Sequence, residues 1–185
     1  EEYRKNLWVS DWTTGKTEQV VSLQRDASPP QSVGTRAIFG GDRDLWATDG
    51  TAPGTRIITR EESSPLEHGA LAAGRFYFAS GYRTQARLRV TDGTAAGTRT
   101  LGTPVPVQLT RFGHRVLFAS LGQPWISDGT PSGTTQLGTI PGSKGLDGFT
   151  TFGSRALFVA ETAAEGRELW ITDGTRPGVR LVLDL

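Results

Sequence analysis

Aspartate recurs once per repeat in this 185-residue chain, and carboxylates at fixed spacing are groups that many enzymes use for acid–base chemistry. Four aspartates share the motif Thr/Ser-Asp-Gly-Thr-x-x-Gly-Thr/Val: Asp49, Asp92, Asp128 and Asp173. Glycoside hydrolysis would need two carboxyl groups roughly 5 to 10 Å apart. Because these aspartates occupy identical turns of successive units, we expect them to be spread over the fold. We therefore predict structural turn residues rather than catalytic acids.

Arginine recurs upstream of each aspartate at an even more regular spacing. The four arginines are 39 or 40 residues apart: Arg36, Arg75, Arg115 and Arg155. A guanidinium group within a strand has to be hydrogen-bonded, so we predict that each arginine braces the aspartate turn or a carbonyl of its own or the adjacent sheet. The alternative is a ring of cations that binds an anion at a central pore. Convergence of the four groups on one axis would favour that alternative.

Other candidates for catalysis or metal binding are few. The chain has two histidines and no cysteine, which excludes disulfides and thiolate metal sites. His114 fills the variable position of a Gly-x-Arg turn, so we interpret it as a turn residue. His68 follows Glu61, Glu62 and Glu67 and could join a metal site, although an acidic loop is the preferred interpretation. One carboxylate per turn is also a poor calcium ligand set. We predict no catalytic residue, no metal site and no cofactor.

Short extended segments would position these residues. Runs rich in Val, Ile, Leu, Phe, Trp and Thr are bounded by Gly, Pro or Asp, as in 147–152, 155–160, 168–172 and 180–185. With 24 glycines and 10 prolines the chain leaves no window for a helix. The aspartate motif would join a third strand to a fourth, since Asp accepts backbone hydrogen bonds and Gly tolerates positive φ. The preceding Trp would pack between neighbouring sheets, and we expect thinner packing where Arg89 replaces it.

The repeat length predicts the fold. The aspartates, with Asp11 in a divergent copy at the start, are 36 to 45 residues apart, which is the length of a four-stranded propeller blade. We predict one all-β repeat domain over 1–185, a β-propeller of about five four-stranded antiparallel blades whose first blade is incomplete. Its units are the partial unit 1–28 and the full units of about 29–66, 67–104, 105–144 and 145–185. A four-bladed wheel with an extra hairpin and a fragment of a longer array are the alternatives. An open blade edge would offer a route to self-association.

The repeat resembles a family of bacterial secreted or surface proteins, common in myxobacteria, that are built from Glu-Leu-Trp-x-Thr-Asp-Gly-Thr-x-x-Gly-Thr units. The segment 168–178 carries nearly the whole motif, and the resemblance covers essentially the whole chain. The turn is also similar to the Asp-box turn of sialidase-type propellers, in which the Asp is structural. The chain departs from the pattern at Trp12, which replaces Gly, and at Arg89. The resemblance implies an extracellular or cell-surface location and says little about activity.

The charge and hydrophobicity of the chain limit the kinds of partner that it can bind. The chain has 20 basic and 19 acidic residues and a net charge of +1, whereas nucleic-acid binding needs a strongly basic face. The sequence has no apolar run of roughly 20 residues, the length of a membrane span. We therefore predict no nucleic-acid partner and no membrane span, and expect another protein or a surface glycan as the partner.

The loops that vary in length from unit to unit indicate which face of the predicted propeller binds a ligand. The arginine-to-aspartate interval is 17 and 18 residues in the second and fourth full units and 13 in the others. Binding sites of propellers lie where loops join second to third strands, although tolerated insertions would give the same pattern. The longer loops, 80–87 and 161–167, contain the candidate ligand-binding residues Tyr82, Arg83, Gln85, Glu161, Glu165 and Arg167.

These observations favour a non-catalytic, exported binding or scaffolding module over two alternatives. A multivalent propeller lectin would need one equivalent sugar pocket per blade, which the unequal loops argue against. A hydrolase of the sialidase or glycosidase type would need several acids, a Tyr and an Arg cluster at the pore mouth. The chain has only three tyrosines, which disfavours the hydrolase.

Overall fold

A computed structural model describes residues 5–24, 27–60, 69–81, 83–164 and 166–183. Within these ranges the chain forms antiparallel strands and two 3-10 turns. The N-terminal hairpin consists of β1 (Lys5–Asp11) and β2 (Lys16–Leu23). The first sheet contains β3 (Gln31–Val33), β4 (Arg36–Gly41), β5 (Asp44–Thr48) and β6 (Arg56–Thr59). The second sheet contains β7 (Ala70–Ala72), β8 (Arg75–Ser80), β9 (Arg87–Thr91) and β10 (Arg99–Pro104).

The third and fourth sheets repeat this arrangement. The third contains β11 (Pro106–Phe112), β12 (Arg115–Ser120), β13 (Gln123–Ser127) and β14 (Thr135–Gln136). The fourth contains β15 (Ser143–Phe152), β16 (Arg155–Thr162), β17 (Gly166–Thr172) and β18 (Arg180–Leu183). Each strand pairs with the next along the chain in every sheet. The prediction of an all-β chain of four-stranded antiparallel sheets is confirmed, and the first unit contributes the two-stranded hairpin.

Up-and-down pairing gives every sheet two distinct ends. At one end, here called the clasp face, lie the turns between first and second strands and the aspartate motifs between third and fourth strands. At the opposite end, here called the loop face, lie the second-to-third connections 42–43, 81–86, 121–122 and 163–165, together with the links between sheets. The predicted binding loops and the aspartate motifs therefore lie at opposite ends of the strands.

The core lies between neighbouring sheets. Strands alternate their side chains between two faces, and each of the three buried clusters lies between neighbouring units. The cluster between the third and fourth sheets contains Leu117, Ile126, Leu137, Phe149 and Phe158, among others. A second cluster runs through the N-terminal hairpin, the first sheet and the second sheet. The third cluster lies between the second and third sheets. This packing is the reason that no unit could bury its apolar residues alone.

Arg89 takes the place of a tryptophan in the second sheet and makes two contacts there. In the first sheet the rings of Phe39 and Trp46 stack with centroids 6.0 Å apart. In the second sheet the Arg89 guanidinium lies 5.6 Å from the ring centroid of Phe78. Its Nη1 also donates a hydrogen bond to the Thr59 hydroxyl at 2.9 Å. The planar guanidinium therefore covers the ring of Phe78, which is equivalent to the ring that Trp46 covers in the first sheet.

Two boundaries differ from the sequence-based expectations. Strand β15 begins at Ser143, inside the unit predicted to end at 144. The segment 161–167 is largely strand rather than loop, because Glu161 pairs with Arg167 and Thr162 with Gly166. Gly166 adopts φ +81°, and this left-handed backbone lets the ladder run on to a three-residue turn. The hairpin of β16 and β17 therefore extends further along the loop face than expected.

Candidate functional site

Each aspartate motif closes a hydrogen-bonded turn, here called a clasp. In the first sheet Asp49 Oδ1 accepts hydrogen bonds from the backbone N–H of Thr51 at 3.0 Å and from its hydroxyl at 2.8 Å. The same two bonds, between 2.6 and 2.9 Å long, form in the clasps of Asp92, Asp128 and Asp173. Because the donors lie two residues along the chain, the octapeptide itself encodes this local structure.

Hydroxyl groups complete the clasp. The Thr55 hydroxyl donates to the carbonyl of Thr51 at 2.7 Å and lies 2.6 Å from the Thr48 hydroxyl. The Thr48 hydroxyl in turn accepts a hydrogen bond from the N–H of Gly50 at 3.0 Å. The second and third clasps repeat these contacts. In the fourth clasp Val179 has no hydroxyl to offer, and the N–H of Gly178 donates instead to the carbonyl of Thr175 at 3.2 Å.

The two glycines of each clasp serve different purposes. The first, such as Gly50, adopts a left-handed backbone with φ +94°, as the sequence predicted. The second, such as Gly54, does not have a positive φ. A Cβ there would overlap the carboxylate of Asp49, and the same overlap would occur in the other three motifs. The sequence-based explanation by positive φ is wrong for this second glycine, which is needed because the carboxylate lies directly against it.

Hydrogen bonding keeps the clasp carboxylates ionised. The Thr hydroxyl two residues along is the largest cause of a lowered pKa in Asp49, Asp92, Asp128 and Asp173, and the backbone N–H and the arginine of the same sheet add to it. A general acid needs a raised pKa and a free oxygen facing the substrate. These carboxylates occur once per sheet and are bound to their own turns, which is an arrangement suited to structure.

The N-terminal hairpin has a shorter clasp. Asp11 Oδ1 accepts hydrogen bonds from the N–H and hydroxyl of Thr13 at 2.8 and 2.6 Å, and its Oδ2 accepts one from Thr14 at 2.8 Å. These hydroxyl bonds are the largest causes that lower the pKa of Asp11 to about 2. Trp12 stands where the other clasps have glycine, and 95% of its side chain is exposed. The aspartate clasp is thus kept although the following glycine is not.

Three of the four repeated arginines lie against the clasp of the following sheet. A Cβ placed on Gly93 would lie 3.3 Å from Arg36 Cβ, and one on Gly129 would lie 3.1 Å from Arg75 Nη1. Arg115 Nη1 donates a hydrogen bond of 3.3 Å to the carbonyl of Gly174. The Arg115 bond is the contact with an adjacent sheet that the bracing interpretation describes, whereas for Arg36 and Arg75 the distances show only that they lie close to the following clasp. The fourth member, Arg155, is exposed on the last sheet.

The histidine and metal candidates contribute little to a site. His114 lies in the turn between β11 and β12, beside a shallow pocket of 530 Å³ that it lines together with Arg115 and Asp173. His68 and the glutamates near it lie outside the described residues. In the part of the chain that the structure describes, no three His, Asp or Glu side chains are grouped as metal ligands would be. None of the described residues belongs to a helix with the length and hydropathy of a membrane span.

The described members of the predicted ligand-binding set lie on two different sheets. Tyr82 and Glu165 lie outside the described residues. The 3-10 turn Arg83–Gln85 contains two more candidates, of which Gln85 is exposed. On the fourth sheet Glu161 and Arg167 are exposed cross-strand partners, and Arg167 forms an ion pair of 2.6 Å with Asp147. The second-sheet and fourth-sheet candidates therefore lie on either side of the third sheet.

Sequence reasoning missed the residues between these two groups. Leu121 lies in the two-residue turn between β12 and β13, where 71% of it is exposed and its φ is +50°. Val107, near the start of β11, is 45% exposed, and Val105 has φ +44°. The dipeptide Leu121-Gly122 between two alternating runs was the available signal, because a two-residue hairpin turn requires left-handed residues.

No family model matches the chain, and no curated protein is significantly similar in sequence. Solved structures with the same fold include dipeptidyl peptidase 4 from Porphyromonas gingivalis, with 14% identity and a TM-score of 0.62. The alignment covers 97% of this chain and 29% of the peptidase. Puromycin hydrolase is also similar (14% identity, TM-score 0.58, covering 92% and 30%). TolB from Acinetobacter baumannii matches with 13% identity and TM-score 0.50, covering 97% and 50%. This chain thus spans half or less of each structure, and the similarity shows a β-propeller fold.

Proposed function

We propose that this chain is a non-catalytic β-propeller module of an exported bacterial protein, and that it binds another protein through the loop face of its third sheet. The observation that carries the proposal is the exposure of Leu121, 71% of which is open to solvent. Val107 adds a second exposed apolar side chain on the same sheet. Burial of one such side chain against a partner contributes about 1.5 to 3 kcal/mol.

The backbone at Leu121 strengthens this argument. A left-handed conformation is unfavourable for a residue with a branched side chain and costs about 1 to 2 kcal/mol. The equivalent turn of the first sheet has Asp42 at φ +54°, and Asp tolerates this conformation better. A turn alone would therefore favour a polar residue at 121, and an exposed leucine there indicates a contact outside the chain.

The surroundings of Leu121 resemble the centre of a protein interface. The third-sheet turn has two residues, whereas the second-sheet connection is 81–86 and the fourth-sheet hairpin reaches Thr162 and Gly166. The N–H of Val105 donates to the carbonyl of Ala86 at 2.8 Å and joins the second-sheet connection to the third sheet. Leu121 and Val107 thus form a small apolar centre with charged and polar residues on both sides. Protein–protein interfaces usually have such an apolar core and a polar rim.

A multivalent lectin is supported less well. Its pockets would repeat from sheet to sheet, but the second-to-third connections of the four sheets have two, six, two and three residues. Aromatic platforms for sugars are also scarce on the described part of the loop face, since the exposed Trp8, Trp12 and Phe152 lie elsewhere. These differences favour one protein-binding surface over several equivalent sugar sites.

A capture experiment with matched variants tests the proposal. Wild-type chain, L121N and D42N would be immobilised, and proteins retained from the cell-surface fraction would be quantified by mass spectrometry. Both substitutions place Asn at the first position of a two-residue turn. The two variants therefore form the same kind of turn, and they differ only in whether Leu or Asp has been removed. We expect at least one protein that binds wild type and D42N but not L121N. Identical sets for all three chains would contradict the proposal, and saturable sugar binding by L121N on a glycan array would favour the lectin.

A further inference from the structure

Tyr77 places a phenol where the other sheets have an aliphatic side chain. It lies in β8, two residues after Arg75, and the residues at the same position of the other three sheets are Ile38, Leu117 and Leu157. The tyrosine is fully buried and belongs to the apolar cluster between the second and third sheets. Both walls of this interface are four-stranded sheets of the chain, so the phenol lies at an internal contact.

The hydroxyl of Tyr77 is buried and has no hydrogen-bond partner among the residues that the structure describes. Buried hydroxyls of native proteins nearly always have a partner, in the protein or in an ordered water or ion, because an unpaired one is costly. Burial also raises the pKa of Tyr77 above its ordinary value. The phenol therefore keeps its proton at neutral pH and is available as a hydrogen-bond donor.

Two arginines reach the same point of the third clasp as this hydroxyl. A Cβ placed on Gly129, the first glycine of that clasp, would lie 2.7 Å from the Tyr77 oxygen and 3.1 Å from Arg75 Nη1. The two atoms are therefore less than about 6 Å apart, so one small acceptor between them can take a hydrogen bond of about 3 Å from each. Arg99 Nη2 donates to the carbonyl of the same glycine at 2.8 Å.

The charges around the hydroxyl favour an anion as that acceptor. Among the described residues, the charged groups that influence the ionisation of Tyr77 are the cations Arg75 and Arg99 and the anion Asp128. The Asp128 carboxylate is bonded through Oδ1 to the N–H and hydroxyl of Thr130 within its own clasp. Two positive charges and one negative charge leave an excess of one positive charge, which a monovalent anion would neutralise.

The corresponding site between the third and fourth sheets differs in two residues. Leu117 replaces the tyrosine, and Thr135 replaces Arg99. There Arg115 Nη1 itself donates to the carbonyl of the first glycine of the next clasp, at 3.3 Å. Between the second and third sheets Arg99 bonds that carbonyl instead, which leaves the repeated arginine beside the phenol. The extra cation and the extra hydroxyl therefore occur together.

We propose that the clasp end of the interface between the second and third sheets binds one chloride ion, which accepts hydrogen bonds from the Tyr77 hydroxyl and the Arg75 guanidinium. Arg99 completes the neutralisation of its charge. A larger anion such as phosphate would displace the third clasp, because Gly129 lies directly against the hydroxyl. The ion fastens the third clasp to the second sheet and makes the stability of this contact depend on halide.

Thermal unfolding in two sodium salts tests the site. Wild type, Y77F and R99T would be unfolded in chloride and in gluconate, an anion too large for the site. At an ionic strength of about 0.5 M we expect a midpoint at least about 3 °C higher in chloride for wild type, and a difference below about 1 °C for both variants. R56T is the matched control, because Arg56 takes the position of Arg99 in the first sheet, where Ile38 replaces the tyrosine. It should keep the wild-type difference.

Crystals grown in bromide would locate the ion directly. Anomalous scattering should give a peak within about 3.5 Å of the Tyr77 oxygen and of Arg75 Nη1 in wild type, and no peak there in Y77F. A water at this position instead of bromide would overturn the proposal, and so would bromide bound at surface arginines alone. Equal salt differences in wild type and Y77F, or a difference that R56T also loses, would show a general effect of salt and would likewise contradict it.

Discussion

The clasp face and the loop face are formed by the same strands, but only the clasp face repeats. Four clasps bind their aspartate to a threonine two residues along with bonds of 2.6 to 3.0 Å. On the loop face the second-to-third connections range from two to six residues, and one turn places Leu121 in a left-handed conformation. The uniform end is held by hydrogen bonds within its own turns, whereas the connections at the other end differ in length and one of them exposes Leu121.

The difference separates two kinds of requirement on the sequence. A clasp needs Asp, Thr and Gly at fixed positions, since the carboxylate, the hydroxyls and the backbone of the same turn bond to one another. A loop-face turn needs only a compatible backbone, which leaves its side chains available for contacts with another molecule. Substitutions on the clasp face should therefore affect folding first, and those on the loop face should affect binding first.

The strongest test of this division is a methyl group placed inside a clasp. G133A puts a Cβ where the Asp128 carboxylate lies, so the turn must open or the aspartate must lose its hydrogen bonds. We expect the free energy of unfolding to fall by about 3 kcal/mol, measured by urea denaturation. The control is G145A on β15, where a Cβ would meet no atom within 4 Å and no positive φ is required. Equal stability of the two variants would show that the clasps are not needed for the fold.

The same division explains which features the sequence predicted. The clasp hydrogen bonds join residues within one octapeptide, so the repeat of Asp49, Asp92, Asp128 and Asp173 was sufficient to predict four-stranded sheets. The reason for the second glycine of each clasp was missed, because it depends on the distance to a carboxylate and not on φ. Leu121 and the contact of Arg89 with Phe78 were missed for a related reason. Exposure and packing depend on neighbouring sheets, and a single repeat does not encode its neighbours.

A substitution in the loop-face turn should raise the stability of the fold, whereas the clasp substitution G133A should lower it. L121N replaces a branched side chain at φ +50° with a residue that tolerates the left-handed conformation. We expect the free energy of unfolding to rise by about 1 kcal/mol, measured by thermal and urea denaturation, while partner capture is lost. D42N, in the equivalent turn of the first sheet, should change stability by less than about 0.5 kcal/mol. A destabilised L121N would mean that Leu121 contributes to the fold, and the comparison between the two faces would weaken.

The smallest effect concerns the titration of the N-terminal clasp. The folded chain lowers the pKa of Asp11 from 3.8 to about 2, chiefly through the hydroxyls of Thr13 and Thr14. A depressed pKa in the folded state means that the clasp contributes to stability above about pH 4 and loses that contribution as the pH falls toward 2. Carboxyl-carbon NMR should therefore show Asp11 titrating near pH 2 in the wild type and at higher pH in T13V.

The control for this titration is T17V, which removes a hydroxyl of the same hairpin that bonds to Ser10 and not to Asp11. Its Asp11 should titrate as in the wild type. If T13V and T17V gave the same midpoint as the wild type, the threonine bonds would not control the charge of Asp11. The clasp would then be held by its backbone alone. The difference between the clasp face and the loop face would rest on the close contact of each second glycine with its aspartate, and not on the threonine hydrogen bonds.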